Sequence, residues 1–330
     1  MKTKVPALTW QRAADYVLVV ATIIEAAIFA AIAPGFGSVA NLVNIALSIA
    51  VTGILAVGMT AVIITGGIDL SVGSVCALSA VVTMMLMRFL SATAAAQLPG
   101  ATIALAALLA LMLGALIGLV NGLLIARVRL SPFVTTLGML SVARGMTYVL
   151  TQGRAQYPVG PDAAVFTRFA NGAVLGLPTQ LVYLLVLAVI MALALRHLVW
   201  GRHLYAVGGN AQAAALAGVR VPRVVISVYV LSGLAAGFSG VLIAGWLGAA
   251  PANLATGYEL RVIAAAVIGG ANLAGGAGGA AGAVIGAALI EVIRNGFVLI
   301  GANTYWEEVF VGVIIIIAVL VDQLRTRRVF

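Results

Sequence analysis

The chain has 330 residues, of which 63% are hydrophobic and 8% charged, and its mean hydropathy is +1.19. About a quarter of the residues of a soluble domain are charged, so this composition excludes a soluble globular protein and predicts a polytopic membrane protein. The net charge of +9 comes from short Lys and Arg clusters beside apolar segments, which indicates topology signals rather than a nucleic-acid-binding surface. With one cysteine, Cys76, and two separated histidines, the sequence predicts neither an intramolecular disulfide nor a metal site.

Apolar segments taken in chain order predict an all-α protein of about ten transmembrane helices. The first segment follows Lys2, Lys4 and Arg12 and resembles a signal peptide, but it is long for one and further apolar segments follow, so we interpret it as a retained helix. The eighth segment has only about 12 residues, which favours a broken or re-entrant helix. The predicted spans are 16–33, 42–65, 72–90, 101–126, 131–150, 180–198, 224–247, 259–270, 277–300 and 306–321.

Basic residues orient these spans within a single transmembrane domain, 1–330. Excess Lys and Arg mark cytoplasmic segments, which places both termini, 1–15 and 322–330, and the basic connector 200–223 in the cytoplasm. The long polar stretch 151–178 then lies on the periplasmic side. Eight or nine spans remain an alternative if a short segment is re-entrant.

A glycine-rich polar break interrupts the apolar sequence between the second and third spans. Gly66 and Gly67 free the backbone, and Asp69 or Ser71 can accept hydrogen bonds from the first N–H groups of the next helix. Such a break inside a membrane must face protein or water. Two interpretations stay open for Asp69: a turn with a helix cap only, or a cap that also faces the transport path.

A second break, Gly269–Ala277, matches Gly66–Ser74 in the pattern G-G-x-[D/N]-L-[S/A]-x-G-[S/A]. Both an ancient duplication and chance in a chain rich in Gly and Ala explain the match. In many transporters the substrate path lies at the interface between internal repeats. With ten spans both breaks fall on the cytoplasmic side, which implies a parallel repeat, whereas one miscounted span would make it inverted.

Ionisable residues inside the spans are few. Arg144 should face the bundle interior or extend outward to the interface, and Glu291 should pair with Arg294, one helical turn away. An ion-coupled carrier would need such groups as relays, and the candidates are Glu25, Asp69, Arg144, Glu259, Arg261, Glu291 and Arg294.

The energy source must lie outside the chain. The only lysines are Lys2 and Lys4, so no Walker A motif exists and we expect no nucleotide cofactor here. A hydrolase motif of the type G-x-S-x-G is also lacking, so we expect a transport protein rather than an enzyme. A partner ATPase or an ion gradient would have to drive it.

A short helix is predicted in the connector after the sixth span. Asn210 is its expected N-cap and Gly218 its C-terminal stop. Two turns of alanine-rich helix are too short to be stable alone, so a binding surface should hold them. An ordinary helix between two spans is the alternative.

Several motifs in order resemble the membrane subunits of ribose-type ABC importers. The segment 62–74 (VIITGGIDLSVGS) carries the resemblance, followed by 121–124 (NGLL), 132–139 (PFVTTLGM), 143–145 (ARG), 201–202 (GR), 205–210 (YAVGGN) and 267–270 (VIGG). The resemblance covers about residues 40–322.

The resemblance implies a permease of the bacterial inner membrane that works by alternating access. Its expected partners are a second permease copy, identical or not, a cytoplasmic ATPase that binds ATP and magnesium, and a periplasmic binding protein. Monosaccharides are the expected substrates, with polyols or autoinducer-2 as alternatives. Gln212-Ala213-Ala214 with Gly218 resembles the E-A-A-x-x-x-G coupling signature, with Gln212 in place of its Glu.

We therefore expect two groups of functional residues. Those of the translocation path are Gly66, Gly67, Asp69, Ser71, Asn121, Thr135, Gly269, Gly270 and Asn272, and those that couple to the ATPase are Gly208, Asn210, Gln212, Ala213, Ala214 and Gly218.

Overall fold

The computed structural model describes residues 7–93, 97–98 and 100–302, with 306, 309, 312–313 and 316; side chains are described from residue 16 onward. The regular secondary structure of the described chain consists of helices and one short hairpin. Its elements are α1 (Ala7–Ile32), α2 (Val39–Ile64), α3 (Val72–Leu90), α4 (Ala101–Ala126), α5 (Pro132–Thr151), α6 (Ala163–Asn171), β1 (Ala173–Val174), β2 (Leu177–Pro178), α7 (Thr179–His197), α8 (Val199–Gly209), α9 (Ala211–Leu216), α10 (Val221–Leu247), α11 (Tyr258–Ile268) and α12 (Ala280–Leu299).

Seven helices of the described chain are long and apolar enough to cross a membrane: α2, α3, α4, α5, α7, α10 and α12. They match seven predicted spans and confirm a polytopic membrane protein. The apolar part of α1 is shorter, Tyr16–Ile32, and α11 has 11 residues, which confirms that the eighth segment is short. The tenth predicted span and the 322–330 tail lie almost wholly outside the described residues, so ten spans remain a prediction.

Helix α2 is the centre of the bundle. Every residue from 50 to 64 is buried, and α7, α10, α11 and α12 pack around it. This helix carries no charged residue, as expected for a helix surrounded by protein on all sides.

Glycines bring α4 and α10 into backbone contact. A Cβ on Gly114 would lie 2.2 Å from the Gly233 carbonyl oxygen, and a Cβ on Gly118 would lie 2.2 Å from the Tyr229 carbonyl oxygen. A Cβ on Gly122 would meet the Ile226 Cα at 2.8 Å. Small residues at this spacing allow close helix packing in membranes, and the G-x-x-x-G-x-x-x-G run of α4 is the sequence signal for it.

Two connectors contain structure that the sequence analysis did not predict. The polar stretch 151–178 forms helix α6 and the β1–β2 hairpin, with Phe166 of α6 buried against the bundle. Helix α8 opens the 200–223 connector, and Gly201, Leu204 and Val207 form its buried face. Their spacing of three residues is the helical signal that was missed.

Polar side chains link α2 to α12. Asn41 and Asn295 exchange two amide hydrogen bonds of 2.8 Å. The Thr52 hydroxyl donates to Glu291 at 2.6 Å, and Arg294 lies 3.3 Å from the same carboxylate, which confirms the predicted Glu291–Arg294 pair. The partners satisfy groups that would be costly in an apolar environment.

Arg144 of α5 faces protein, which agrees with the expectation that it faces the bundle interior rather than the membrane interface. Its guanidinium donates to the carbonyl oxygens of Leu254 at 2.7 Å and Ala252 at 3.4 Å. These bonds attach α5 to the loop that precedes α11.

Candidate functional site: a glycine junction beside helix α9

Helix α2 ends at the first glycine break in a Schellman motif. Gly66 has φ +79°, and the N–H groups of Gly66 and Gly67 donate to the carbonyl oxygens of Ile63 and Val62 at 2.8 and 3.1 Å. Glycine is favoured at this left-handed position because a Cβ would strain it.

The second break repeats this geometry in a shifted register. Gly270 has φ +90°, and the N–H groups of Gly270 and Ala271 donate to Val267 and Ala266 at 2.9 and 3.0 Å. The left-handed residue is thus the first glycine of one break and the second glycine of the other. The two helix ends are alike, and the sequence alignment of the two breaks is wrong by one residue at this point.

The turns that follow do keep the register of the sequence match. Asp69 Oδ1 accepts from the Ser71 N–H at 3.0 Å, and Asn272 Oδ1 accepts from the Ala274 N–H at 2.7 Å. Each is a turn in which the side chain bonds the backbone two residues ahead. The first break then enters α3 at once, whereas the second continues to Gly279 before α12 begins.

The two breaks and helix α8 meet in backbone contact, at what we call the glycine junction (Ile64–Gly66, Gly208 and Gly275–Gly278). The Gly276 N–H donates to the Ile64 carbonyl oxygen at 2.9 Å. A Cβ on Gly208 would lie 1.8 Å from that oxygen, and a Cβ on Gly275 would lie 2.8 Å from the Gly208 carbonyl oxygen. Only glycine permits three backbones to approach so closely.

A side chain of α8 adds one more bond across the junction. The Tyr205 hydroxyl donates to the Gly278 carbonyl oxygen at 2.8 Å. Helix α8 is therefore attached to the second break by Tyr205 and packed on both breaks by Gly208, so its displacement must disturb both.

Asp69 lies in a buried polar cluster next to the junction. It is 2% exposed, and its second oxygen, Oδ2, accepts from the Ser232 hydroxyl at 2.8 Å. The Ser71 hydroxyl donates to Oδ1 at 2.6 Å and accepts from the Asn121 amide at 3.1 Å. The Tyr229 hydroxyl donates to the Ile68 carbonyl oxygen at 3.2 Å. This cluster ties the first break to α3, α4 and α10, and it encloses the carboxylate in protein.

Helix α9 follows α8 directly and has the predicted ends. The Asn210 side chain accepts from the Ala213 N–H at 2.9 Å, which confirms it as N-cap. Gly218, with φ +88°, donates to Ala215, and Val219 donates to Ala214, each at 3.0 Å, so a third Schellman motif ends the helix.

Helix α9 presents nearly all its surface outward. Only Ala214 is buried, at 5% exposure, whereas Leu216 is 91% exposed and Gln212 and Ala213 are exposed too. Ala214 therefore seats the helix on its own chain. A bulky residue there would first unseat α9, so it is a poor test of contact with a partner.

The predicted path residues do not form one lining surface. Gly66, Gly270 and Asn272 lie in the two breaks, and Gly67 is packed against Tyr229. A Cβ on Gly269 would lie 2.3 Å from the Gly282 carbonyl, so Gly269 packs against the first turn of α12.

On α5 the residue that reaches the first break is Thr136. The Thr135 and Thr136 hydroxyls donate to the Ser131 and Pro132 carbonyl oxygens, each at 2.9 Å. The Thr136 hydroxyl also lies 3.4 Å from the Ile68 carbonyl oxygen, whereas Thr135 has no such contact with the break. Sequence reasoning missed Ser232 and Tyr229, because a lone hydroxyl in an apolar helix gives no local signal of a distant partner.

Comparison with known proteins assigns a family. The family described as “Branched-chain amino acid transport system / permease component” matches residues 41–319. The chain is 39% identical to the ribose import permease protein RbsC of Escherichia coli (strain K12), over 92% of each chain. It is 37% identical to the galactose/methyl galactoside import permease protein MglC of Salmonella typhimurium (strain LT2), over 97% of each chain.

A third relative gives a similar result, with 36% identity to the ribose import permease protein RbsC of Bacillus subtilis (strain 168), over 89% of this chain and 88% of the relative. No solved structure matches the chain significantly. The chain therefore belongs to the family of membrane permease components that includes the ribose and galactose import permeases.

Proposed function

We propose that the chain is the membrane-spanning subunit of an ATP-driven importer that receives a monosaccharide from a periplasmic binding protein. Support for the sugar comes from relatives that match over nearly their full length and carry ribose and galactose in their names. The family description names branched-chain amino acids, whereas the relatives that match over nearly the full length of the chain are named for sugars. A neutral sugar also suits a bundle whose described polar cluster consists mainly of hydroxyl and amide groups.

The observation that carries the proposal is the position of α9. An exposed, two-turn helix that cannot be stable alone adjoins helix α8, and α8 contacts both glycine breaks. A partner ATPase that binds α9 and shifts it would also move the adjoining helix α8. That movement would displace the ends of α2 and α11. The cytoplasmic side is then the α8–α9 end, in agreement with its basic residues.

The access change follows from the same geometry. Between α8 and the ends of α2 and α11 the contacts are close backbone packing at Gly208 and the Tyr205–Gly278 hydrogen bond, so a shift of α8 would act directly on both breaks. Asp69, bonded to Ser71 and Ser232, would transmit the shift to α3 and α10. The sugar would pass along these helices, between this chain and a second copy, with ATP and magnesium bound only by the partner.

Purification of the chain from its native cell in mild detergent tests this function directly. We expect an ATP-binding subunit in a fixed ratio, two permease copies, and sugar uptake in liposomes that requires ATP and the binding protein. A chain that purifies alone and carries solute under an ion gradient would instead indicate a secondary carrier and overturn the proposal.

A pair of exposed leucines sharpens the test of the docking surface. Leu216 of α9 is 91% exposed and Leu175 of the hairpin at the opposite end is 98% exposed, so neither contributes much to the core. We expect Leu216→Lys to lose the ATP-binding subunit on purification and Leu175→Lys to keep it. Equal recovery with both variants would remove α9 from the docking surface.

A further inference from the structure

An apolar cavity of about 580 Å³ lies between α2, α7 and α10, away from the glycine junction. Its walls include Ile54 and Val57 of α2, Leu187 and Met191 of α7, and Leu231 of α10. Ligand sites for small molecules have volumes of roughly 300–1,000 Å³. The cavity is thus large enough to hold a ligand of substantial size.

The lining of this cavity does not favour bound water. Among the described residues of its lining, the polar side-chain groups are the Trp200 indole N–H and the Ser227 hydroxyl. The indole N–H donates to the hydroxyl at 2.8 Å, and the hydroxyl donates to the Val224 carbonyl oxygen at 2.7 Å. An ordered internal water needs two to four polar partners. The occupant must therefore be apolar.

The cavity opens toward the surface that α7 turns to the membrane. Ile190 lines it and is 56% exposed, and the adjacent Val186 and Val189 of α7 are 52% and 56% exposed. In a membrane this apolar surface borders lipid tails, so lipid is the apolar molecule with direct access to the cavity.

One end of the cavity has the features of a membrane–water boundary. Trp200 sits there with its indole N–H bonded to Ser227, and tryptophan is enriched at that boundary. Arg223 is exposed and precedes Ser227 by four residues on α10, so it lies on the same side of the helix. An arginine there can bind a phosphate group.

We propose that this cavity holds an acyl chain of a membrane phospholipid, with the phosphate of that lipid beside Arg223. The lipid fills the space between α2 and α10 next to the Gly58–Ala235 contact and so supports two of the helices that meet near the junction. The inference does not depend on which solute the chain carries.

Native mass spectrometry of the purified chain tests the proposal with two matched variants. Ala194 lines the cavity, whereas the neighbouring Ala192 is exposed and does not. We expect wild type and Ala192→Trp to retain one phospholipid per chain. Ala194→Trp should retain at least tenfold less phospholipid than wild type. Arg223→Gln should lower the share of anionic lipid retained. Equal retention in both tryptophan variants, or no lipid on the wild type, would overturn the proposal.

A photoreactive amino acid at position 190 keeps the proposal testable if Ala194→Trp does not fold. Illumination in native membranes should give a phospholipid adduct. An adduct to another segment of the chain, such as 306–321, or to a second copy would mean that protein fills the cavity, and this outcome would also overturn the proposal.

Discussion

Gly208→Ala is the most direct perturbation of the glycine junction. Its Cβ would lie 1.8 Å from the Ile64 carbonyl oxygen and 2.5 Å from the Gly276 nitrogen, whereas ordinary contact begins near 3.4 Å, so α8 or α2 must move by about 1.6 Å. Overpacking of this kind costs ~1–3 kcal/mol. Loss of the Gly276–Ile64 hydrogen bond adds ~1 kcal/mol. One methyl group should therefore separate α8 from both breaks.

Coupling is the property that this separation should change most. We expect Gly208→Ala to insert in the membrane and bind its ATPase through an intact α9, but to import several-fold less sugar per ATP hydrolysed in proteoliposomes. Thermal unfolding of the purified complex should occur at a lower temperature, in line with the packing cost.

Gly209→Ala is the matched control for this experiment. It changes the next residue of the same helix, where an added Cβ meets no atom within 4 Å, so transport and stability should stay close to wild type. A Gly208→Ala complex with the wild-type ratio of sugar to ATP would refute the role of the junction, even if its stability fell.

Three further predictions concern other parts of the bundle. Gly118→Ala puts a Cβ 2.2 Å from the Tyr229 carbonyl oxygen and should lower the unfolding temperature of the purified chain. Gly138→Ala is the control and should not lower it, because the added Cβ meets no atom within 4 Å. Equal unfolding temperatures of the two variants would contradict the close packing of α4 and α10. Asp69→Ala should reach the membrane in normal amount but import poorly, and normal uptake would reduce Asp69 to a dispensable cap. Hydrogen bonds from the Thr102 hydroxyl and the Gly100 N–H lower the pKa of the Asp162 carboxyl from its ordinary 3.8. The stabilisation by this carboxylate is therefore complete above pH 3.8 and is lost as the pH falls below that value. Asp162→Asn should show a smaller acid-induced loss of stability than wild type, and identical acid unfolding curves would argue against this anchor.

Local rules were enough for the helix ends. Asn210 and Gly218 were predicted as the ends of α9, and both have the predicted geometry. Capping depends on residues within a turn of each other, which is why it can be predicted from sequence. The repeat of the glycine break was predictable for the same reason, but the register of its left-handed residue was not. Two residues separate the left-handed Gly66 from Asp69, whereas one separates the left-handed Gly270 from Asn272, and the matching sequence pattern does not show this difference.

Long-range contacts could not be predicted in this way. The partner of Asp69 on α10, Ser232, is 163 residues away. The close approach of Gly208 to Ile64 joins segments between which the five helices α3 to α7 lie. Each of these residues is unremarkable in its own helix, because a serine or glycine in an apolar segment has many uses.

Composition by itself determined that the chain is a membrane protein, because a chain with 63% hydrophobic residues has too few polar residues to cover the surface of a soluble protein. Local sequence also determined where most spans lie and where the backbone must break. Only the tertiary structure decided that both breaks meet at Gly208, that Ala214 faces inward, and that a cavity remains between α2, α7 and α10. The physical reason is that apolar periodicity fixes how much surface a helix must cover, whereas the choice of neighbour depends on the shapes of helices far apart in the chain.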